Sequence, residues 1–372
     1  HHIVSDGVSI GVISRDLAAL YAAARSGTFP STALPPLAIQ YRDFAAWQNT
    51  FLAGPAAARH RDHWLAQLSG KLPVLNLLTD YARPAVSDHA GGEETFSFSA
   101  TESSALTNLG RDHGASLFMV LDAAVKALLY LSTGQDEFVV GTPIAGRVHE
   151  ALEDQVGFYL NTLALRTRVD PGGSFLDLLA TVRETATAAF EHQAYPFDRL
   201  VDELKIERDL SRSPVFDVML ILQNQAEASP DFAGITATPF FEHTATAKLD
   251  LTFYFKDTQD GLAGAIEYMS SLYSRERIQW MIRHFRTLVG EILADPARPL
   301  RQKLTHTAHK RRHVGYDVLL LRREIRTRLV GFLFTGHGLS QSFSTIPTPF
   351  LPRSRRRSGP PPGRPRAAGP RR

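Results

Sequence analysis

The chain begins with residues whose types and spacing suit acyl transfer: His1, His2, Asp6 and Gly7, in the segment HHIVSDG. A neutral imidazole accepts a proton near neutral pH, so His2 is a candidate general base toward an attacking amine or alcohol. Asp6 can fix the local backbone or bind a cation, and Gly7 allows close approach of the main chain to a substrate or a positive φ. The alternative at this point is a surface His pair before an Asp-Gly turn, because the spacing alone has low specificity.

The motif must be positioned by the rest of the fold, in which predicted helices and strands are interleaved along the chain. Helical periodicity predicts helices over residues 8–23, 41–48, 56–68, 117–131, 175–192 and 274–294, with Ser116 and Ser174 as N-caps. Alternating or short apolar runs predict strands over residues 94–99, 137–140, 162–169, 216–222, 249–255 and 262–269. Interleaved strands and helices indicate a layered α/β fold.

Length and composition narrow the class of protein. The 372 residues, 44% of them apolar, are enough for two domains or one two-lobed unit with a real core. The chain has no cysteine, which excludes disulfides, a thiolate nucleophile and thiolate metal ligands. Neither a run of eighteen apolar residues nor a signal-peptide pattern is present, so we expect no membrane partner and a cytoplasmic location.

Charge divides the chain into two blocks. Residues 301–372 hold 17 Lys and Arg against 2 acidic residues, a net charge of +15, whereas residues 1–300 hold 24 against 36, a net charge of −12. The first block carries the periodic elements, and the second is rich in Arg, Pro and Gly. We therefore predict that residues 301–372 form a basic, low-complexity, disordered tail.

A second pair of histidines, His60 and His63, has a spacing that some metal sites use. No third ligand is evident nearby, and the pattern favours a solvent-exposed helix face over a metal site. We expect no metal site in the chain.

Several ordered segments of the chain resemble the condensation domains of nonribosomal peptide synthetases. HHIVSDG matches the HHxxxDG motif of that family, and DLAALYAA follows it. The further segments in the order of the family are YRDFAAWQ, DHWLAQLSG, LLTDYARP, QVGFYLNTLALR, YPFDRLVDEL, RSPVFDVMLILQN and LDLTFYF. The resemblance covers residues 1–300.

The resemblance implies a fold of two lobes, each similar to chloramphenicol acetyltransferase, with the motif at their junction. Residues 1–85 would end the first lobe, which is incomplete, and residues 86–300 would form the second. The implied reaction is peptide-bond formation, in which the amine of an acceptor aminoacyl thioester attacks a donor aminoacyl or peptidyl thioester. Both substrates would be held on the phosphopantetheine of carrier proteins, beside an adenylation domain, with no cofactor bound directly.

The family motif also assigns roles to single residues. By position, His2 is the catalytic histidine, either as base or as positioner of the amine, with His1 beside it. The resemblance gives Asp6 an ion pair that holds the loop, and it implies that the Gly7 amide polarises the thioester carbonyl or binds the developing oxyanion. Asn161, in VGFYLNTL, would be a polar residue of the substrate tunnel. The chain has no Gly-x-Ser-x-Gly segment, so we expect direct transfer without an acyl-enzyme.

Other classes of protein stay open. Epimerisation domains share HHxxxDG, but the segment around QVGFYLNTLALR is closer to the condensation type. Plant-type acyltransferases carry a late Asp-Phe-Gly-Trp-Gly motif that this chain lacks, and cyclisation domains replace the first His with Asp. The basic tail would bind polyanions non-specifically, without a motif for specific nucleic-acid recognition.

An inactive fragment or docking module is a further alternative. The resemblance places about a third of the domain before HHxxxDG, including an Arg that pairs with Asp6, and we expect this chain alone to lack condensation activity. Arg, Pro, Gly and Ala are typical of a GC-rich gene read out of frame, so we expect residues 301–372 to reflect a frameshift near codon 301. Resequencing that locus tests this expectation.

Overall fold

The computed structural model describes residues 1–27, 34–207, 209–223, 232, 235 and 246–300. The helices in this part of the chain are α1 (Gly7–Ser26), α2 (Tyr41–Ala53), α3 (Pro55–Gln67), α4 (Ala100–Asp112), α5 (Leu117–Thr133), α6 (Phe175–Glu191), α7 (Phe197–Leu204) and α8 (Arg275–Ala294). The strands are β1 (Gly91–Ser99), β2 (Glu137–Ile144), β3 (Asn161–Arg168), β4 (Val218–Gln223), β5 (Leu251–Thr258) and β6 (Gly261–Met269).

The strands form one mixed sheet in the order β1-β6-β5-β4-β2-β3. The pairs β4–β5 and β2–β4 are parallel, and the others are antiparallel. Alternate side chains of a strand point to opposite faces, and β2 shows this directly. Phe138 and Val140 lie in a large core with α5, α6 and α8, whereas Val139 lies in a second core with Trp64 of α3 and Leu200 of α7. The predicted α/β class is confirmed.

Local sequence sets most helix ends. The side chains of Ser116 and Ser174 accept hydrogen bonds from the third residue of α5 and α6, so both predicted N-caps are confirmed. Gly134 ends α5 in the left-handed conformation that glycine tolerates best. Two helices, α4 and α7, escaped prediction. Helix α4 buries only Leu106 and Gly110, so its apolar stripe is too short to recognise.

Helix α5 is buried around its whole circumference rather than along one stripe. Two of its buried side chains form an ion pair with no solvent exposure, in which the Lys126 ammonium lies 2.7 Å from the Asp122 carboxylate. The same ammonium donates to Thr167 of β3 at 2.8 Å. Burial raises the pKa of Asp122 and lowers that of Lys126.

The chain divides into two units, His1–Arg311 and Arg312–Arg372. All described residues belong to the first of these units. The predicted tail over residues 301–372 lies outside the described residues, and the predicted lobe boundary near residue 85 stays a prediction.

Candidate active site

The HHIVSDG motif forms a short turn that leads directly into helix α1. His1 caps a single turn of 3₁₀ helix, His2–Val4, because its Nδ1 accepts a hydrogen bond from the Ile3 amide at 3.2 Å. Asp6 then caps α1 through its Oδ1, which accepts from the Ser9 amide at 2.8 Å. The imidazole of His1 therefore organises the backbone, and the second imidazole remains for chemistry.

The ring of His2 is exposed, and its protonation pattern follows from one contact. Its Nδ1 lies 3.0 Å from the carbonyl oxygen of Ser5. A carbonyl oxygen only accepts hydrogen bonds, so this contact places the ring proton on Nδ1 in the neutral tautomer. The Nε2 atom then carries the lone pair and can accept a proton from a substrate.

Asp6 lies at the centre of a buried network. Its carboxylate accepts from the Ser9 amide and hydroxyl, both at 2.8 Å, and from the Tyr159 amide at 3.1 Å. The Arg147 guanidinium lies 2.9 Å from Asp6 Oδ1 in an ion pair whose side chains are 4% and 2% exposed. Burial alone would raise the pKa of Asp6, but the hydrogen bonds from Ser9, Tyr159 and Arg147 together hold that pKa below its usual range.

Within this chain the partner of Asp6 is Arg147, 141 residues downstream. The resemblance also placed a pairing Arg before HHxxxDG, and that stays a prediction. The Arg147 guanidinium donates to the Leu152 carbonyl at 2.5 Å and lies 4.2 Å from the centre of the Tyr159 ring. The preceding residue, Gly146, has φ +65°, and a Cβ there would lie 2.0 Å from the Tyr159 oxygen. Glycine is therefore required for this approach.

Ser9 binds the segment around residue 157 to the start of α1. Its hydroxyl oxygen lies 2.9 Å from the Gly157 carbonyl oxygen and accepts from the Gly157 amide at 3.1 Å, and its single hydrogen is shared between that carbonyl and the Asp6 carboxylate. A Cβ on Gly157 would lie 2.3 Å from the Tyr41 ring, so a larger residue cannot occupy this position without a shift. The next side chain, Phe158, contacts the His2 ring edge-on, with centroids 5.7 Å apart.

Gly7 is the first residue of α1 and is exposed. Its φ is not positive, so the left-handed option raised from sequence is not used. At the first turn of a helix the amide hydrogens lack intrahelical acceptors and favour negative charge. A Cβ on Gly7 would meet no described atom within 4 Å, which leaves open space beside that amide.

Asn161, at the start of β3, is held by four hydrogen bonds of its side-chain amide. Its Nδ2 donates to the carbonyls of Gln193 and Tyr195 at 2.9 and 2.8 Å. Its Oδ1 accepts from the amides of Thr162 and Phe197 at 2.8 and 3.0 Å. All four bonds are to backbone, so the side chain fixes the turn between α6 and α7, and its tunnel role stays a prediction.

The predicted solvent-exposed face at His60 and His63 is wrong. His60 is buried at 8% exposure. The His63 ring stacks on His192 with centroids 4.0 Å apart, and His60 meets the same ring edge-on at 5.1 Å. Burial lowers the pKa of His60 and of His63, and the charge of a protonated His192 would lower both further. No group of three His, Asp or Glu among the described residues is arranged to hold a metal ion.

Three apolar residues that share a face of α1 are exposed. Ile10, Ile13 and Leu17 are 57%, 43% and 55% exposed, whereas the helix buries Ser9, Val12 and Ala18. By length and composition, α1 is also sufficient to cross a membrane, although 22% of its apolar stretch is buried in the fold. Helices that pack inside soluble proteins share that composition, and the absence of a membrane partner stays a prediction.

Sequence reasoning missed most of the residues that support the motif: Ser9, Tyr41, Arg147, Phe158 and Tyr159. Only the glycines offered a signal, because Gly146-Arg147 and Gly157-Phe158 are places where a backbone approaches another element closely. The site thus combines an exposed histidine with a buried, ion-paired carboxylate, an arrangement that a histidine-dependent acyltransferase could use.

The family model for the condensation domain matches residues 1–313, so the chain belongs to the condensation domain family. The match extends 13 residues beyond the predicted end of the resemblance at residue 300. The predicted fold family is therefore confirmed.

The relatives that the chain matches are large synthases. It is 42% identical over 297 residues to one of the plipastatin synthase proteins of Bacillus subtilis (strain 168), and the match covers 79% of this chain and 11% of that protein. It is 40% identical over 300 residues to Bacitracin synthase 3 of Bacillus licheniformis, covering 81% of this chain and 5% of that protein. The chain thus spans a small part of the relatives that it matches.

Solved structures support the same fold. The complex of the X-domain and OxyB from teicoplanin biosynthesis has a TM-score of 0.74 at 26% identity, covering 81% of this chain and 67% of that chain. A four domain nonribosomal peptide synthetase bound to AMP and glycine has a TM-score of 0.69 at 24% identity, covering 81% of this chain and 23% of that chain. The second likeness bears on the fold alone.

Proposed function

We propose that the condensation domain to which this chain belongs carries out peptide-bond formation between an acceptor aminoacyl thioester and a donor aminoacyl or peptidyl thioester. The observation that carries this proposal is the hydrogen bond from His2 Nδ1 to the Ser5 carbonyl, which leaves Nε2 as the basic atom on an exposed ring. Membership of the condensation domain family supplies the reaction class. The comparisons do not favour the alternative of epimerisation.

In the proposed step the acceptor nitrogen attacks the donor thioester carbon. The new C–N bond forms, the C–S bond breaks, and the sulfur leaves as the thiol of the donor arm. His2 Nε2 takes the proton that the amine nitrogen loses and returns it to the departing thiolate. The amide of Gly7 faces the oxygen that gains negative charge, where a helix N-terminus stabilises it. A thioester is already activated, so orientation of two tethered reactants supplies much of the rate.

The partners proposed are a donor and an acceptor carrier protein, each presenting its substrate on phosphopantetheine. Support comes from the relatives, which are synthases much longer than this chain. A further proposed neighbour in the same polypeptide is an adenylation domain, as membership of the condensation domain family implies. We propose a cytoplasmic location and no directly bound cofactor.

The test measures dipeptidyl product by mass spectrometry, from two loaded carrier proteins, with the 372-residue chain. A second form joins the chain to the residues that precede the matching stretch in Bacitracin synthase 3, because the chain alone is expected to be inactive. His2→Ala should lower the rate about 10²- to 10⁴-fold. His113→Ala, which removes another exposed imidazole, should leave the rate unchanged. Full activity of His2→Ala would overturn the role of His2, and no product from either form would overturn the function.

A further inference from the structure

Phe158 lies on a segment whose backbone is anchored on each side of it. The Gly157 amide and carbonyl both bond to the Ser9 hydroxyl, at 3.1 and 2.9 Å. The Phe158 carbonyl accepts from the Tyr41 hydroxyl at 3.0 Å, and the Tyr159 amide donates to Asp6 at 3.1 Å. The backbone at Phe158 is therefore held by the N-cap and first turn of α1 and by the first residue of α2.

Phe158 and the next residue, Tyr159, differ in exposure. Tyr159 is 5% exposed and packs under the Arg147 guanidinium. Phe158 is 38% exposed and points to the His2 ring, with centroids 5.7 Å apart and planes at 76°. This distance and angle are those of an attractive edge-to-face aromatic pair.

The contact with Phe158 restricts a rotation of the His2 ring that the hydrogen bond to Ser5 does not prevent. One hydrogen bond, from Nδ1 to the Ser5 carbonyl, fixes one atom of the His2 ring. Rotation of the ring about its Cβ–Cγ bond would break this hydrogen bond and move Nε2, and since the terminal torsion of a histidine is broad, a single hydrogen bond opposes that rotation only weakly. An aromatic wall at Phe158 limits this rotation and thereby keeps Nε2 in one direction.

We propose that Phe158 is a positioning residue for His2: its ring holds the imidazole in the orientation and tautomer required for proton transfer. The proposal rests on the proposed function of His2 as the group that handles the amine proton. Phe158 acts through His2 and needs no contact with the reacting atoms. A misplacement of about 1 Å at a reacting group can lower a rate about 10²-fold.

Substitutions of Phe158 distinguish a need for an aromatic ring from a need for apolar volume alone. Phe158→Ala and Phe158→Leu should each lower kcat about 10- to 100-fold, with KM for both loaded carriers changed less than about twofold. Phe158→Tyr keeps the ring and should restore kcat to within about threefold of the parent. Tyr81→Ala removes a different exposed aromatic side chain, 52% exposed, and should leave kcat and KM unchanged. The assay uses whichever form of the chain makes product.

A measurement independent of turnover distinguishes failure of this proposal from failure of the proposed function. Long-range ¹H–¹⁵N spectra of the histidine rings, with the His2 signals assigned by their loss in His2→Gln, report which ring nitrogen carries the proton. The parent and Phe158→Tyr should show His2 protonated on Nδ1, and Phe158→Ala should show a mixture of both tautomers. If neither form of the chain makes product, this result still decides the positioning role.

Three outcomes would overturn the proposal. The first is an unchanged His2 tautomer in Phe158→Ala. The second is a loss that falls on KM with kcat preserved, which would make Phe158 a wall of the substrate site. The third is a Phe158→Leu variant as active as Phe158→Tyr, because bulk without an aromatic ring would then suffice.

Discussion

Arg147→Met is expected to lower the free energy of unfolding by about 3 kcal/mol at pH 7, near the lower end of the range for breaking a buried ion pair. The change strands the Asp6 carboxylate, which is 2% exposed in the pair. It also removes the hydrogen bond to the Leu152 carbonyl and the contact with the Tyr159 ring. The lower end of the range applies because Asp6 keeps three donors, two from Ser9 and one from the Tyr159 amide.

A matched control lies on the same pair of elements. Arg15 of α1 pairs with Asp154 at 2.5 Å, and both side chains are more than half exposed, at 51% and 57%. Arg15→Met removes the same charge and atoms from a solvated pair, so the expected loss is below about 1 kcal/mol. Urea unfolding followed by tryptophan fluorescence measures both variants, with equal denaturant slopes required for the comparison.

The pH dependence of the loss follows from the lowered pKa of Asp6. The carboxyl has a lower pKa in the folded chain than its unfolded value of about 3.9, so its stabilising contribution is complete above that pH and is lost as pH falls through the folded pKa. Without Arg147, burial has fewer opposing contacts, and the carboxyl takes up its proton at a higher pH. The difference between the parent and Arg147→Met should therefore narrow from pH 7 toward pH 3.

A double-mutant cycle isolates the pair itself. Asp6→Asn combined with Arg147→Met should lose less stability than the two single variants added, by about 1–3 kcal/mol, because each single change leaves a buried group without its partner. Additive losses, a loss at pH 7 no larger than that of Arg15→Met, or a difference that widens on acidification would each refute the reasoning.

Three other variants test the rest of the site. Gly7→Ala should leave stability within about 0.5 kcal/mol, since its Cβ meets no described atom within 4 Å, yet lower product formation at least about tenfold if the thioester lies against that amide. Asn161→Ala should cost about 1–3 kcal/mol in urea unfolding, because the carbonyls of Gln193 and Tyr195 lose their donor. His60→Phe should reduce the loss of stability between pH 7 and 5, because the pKa of His60 is lowered in the fold and protonation then favours the unfolded chain; an unchanged pH profile would contradict this.

Sequence reasoning succeeded where the signal is local. The caps Ser116 and Ser174 lie beside the helices that they begin, and the residues that predict strand β3 are consecutive. It failed where a partner is distant or where burial depends on packing. Nothing near Asp6 distinguishes Arg147 from the other arginines of the chain, and nothing near His60 indicates that the end of α6 covers it. Periodicity specifies which residues share a face but not whether another element lies against that face, as the exposed stripe of α1 shows.

Different residues of the site contribute to stability and to the proposed chemistry. The supporting residues Asp6, Ser9 and Tyr159 are each at most 5% exposed, whereas His2 and Gly7 face solvent. A buried charged network gains little net stability over apolar packing, but it specifies one geometry, since its donors and acceptors pair only when the segments are correctly placed. Arg147→Met should therefore act on unfolding first and on turnover only through the displaced segment. Phe158→Ala should act on turnover with little change in unfolding, because its ring is already 38% exposed. If both variants lowered stability and turnover in proportion, this separation between the buried and the exposed residues would be refuted.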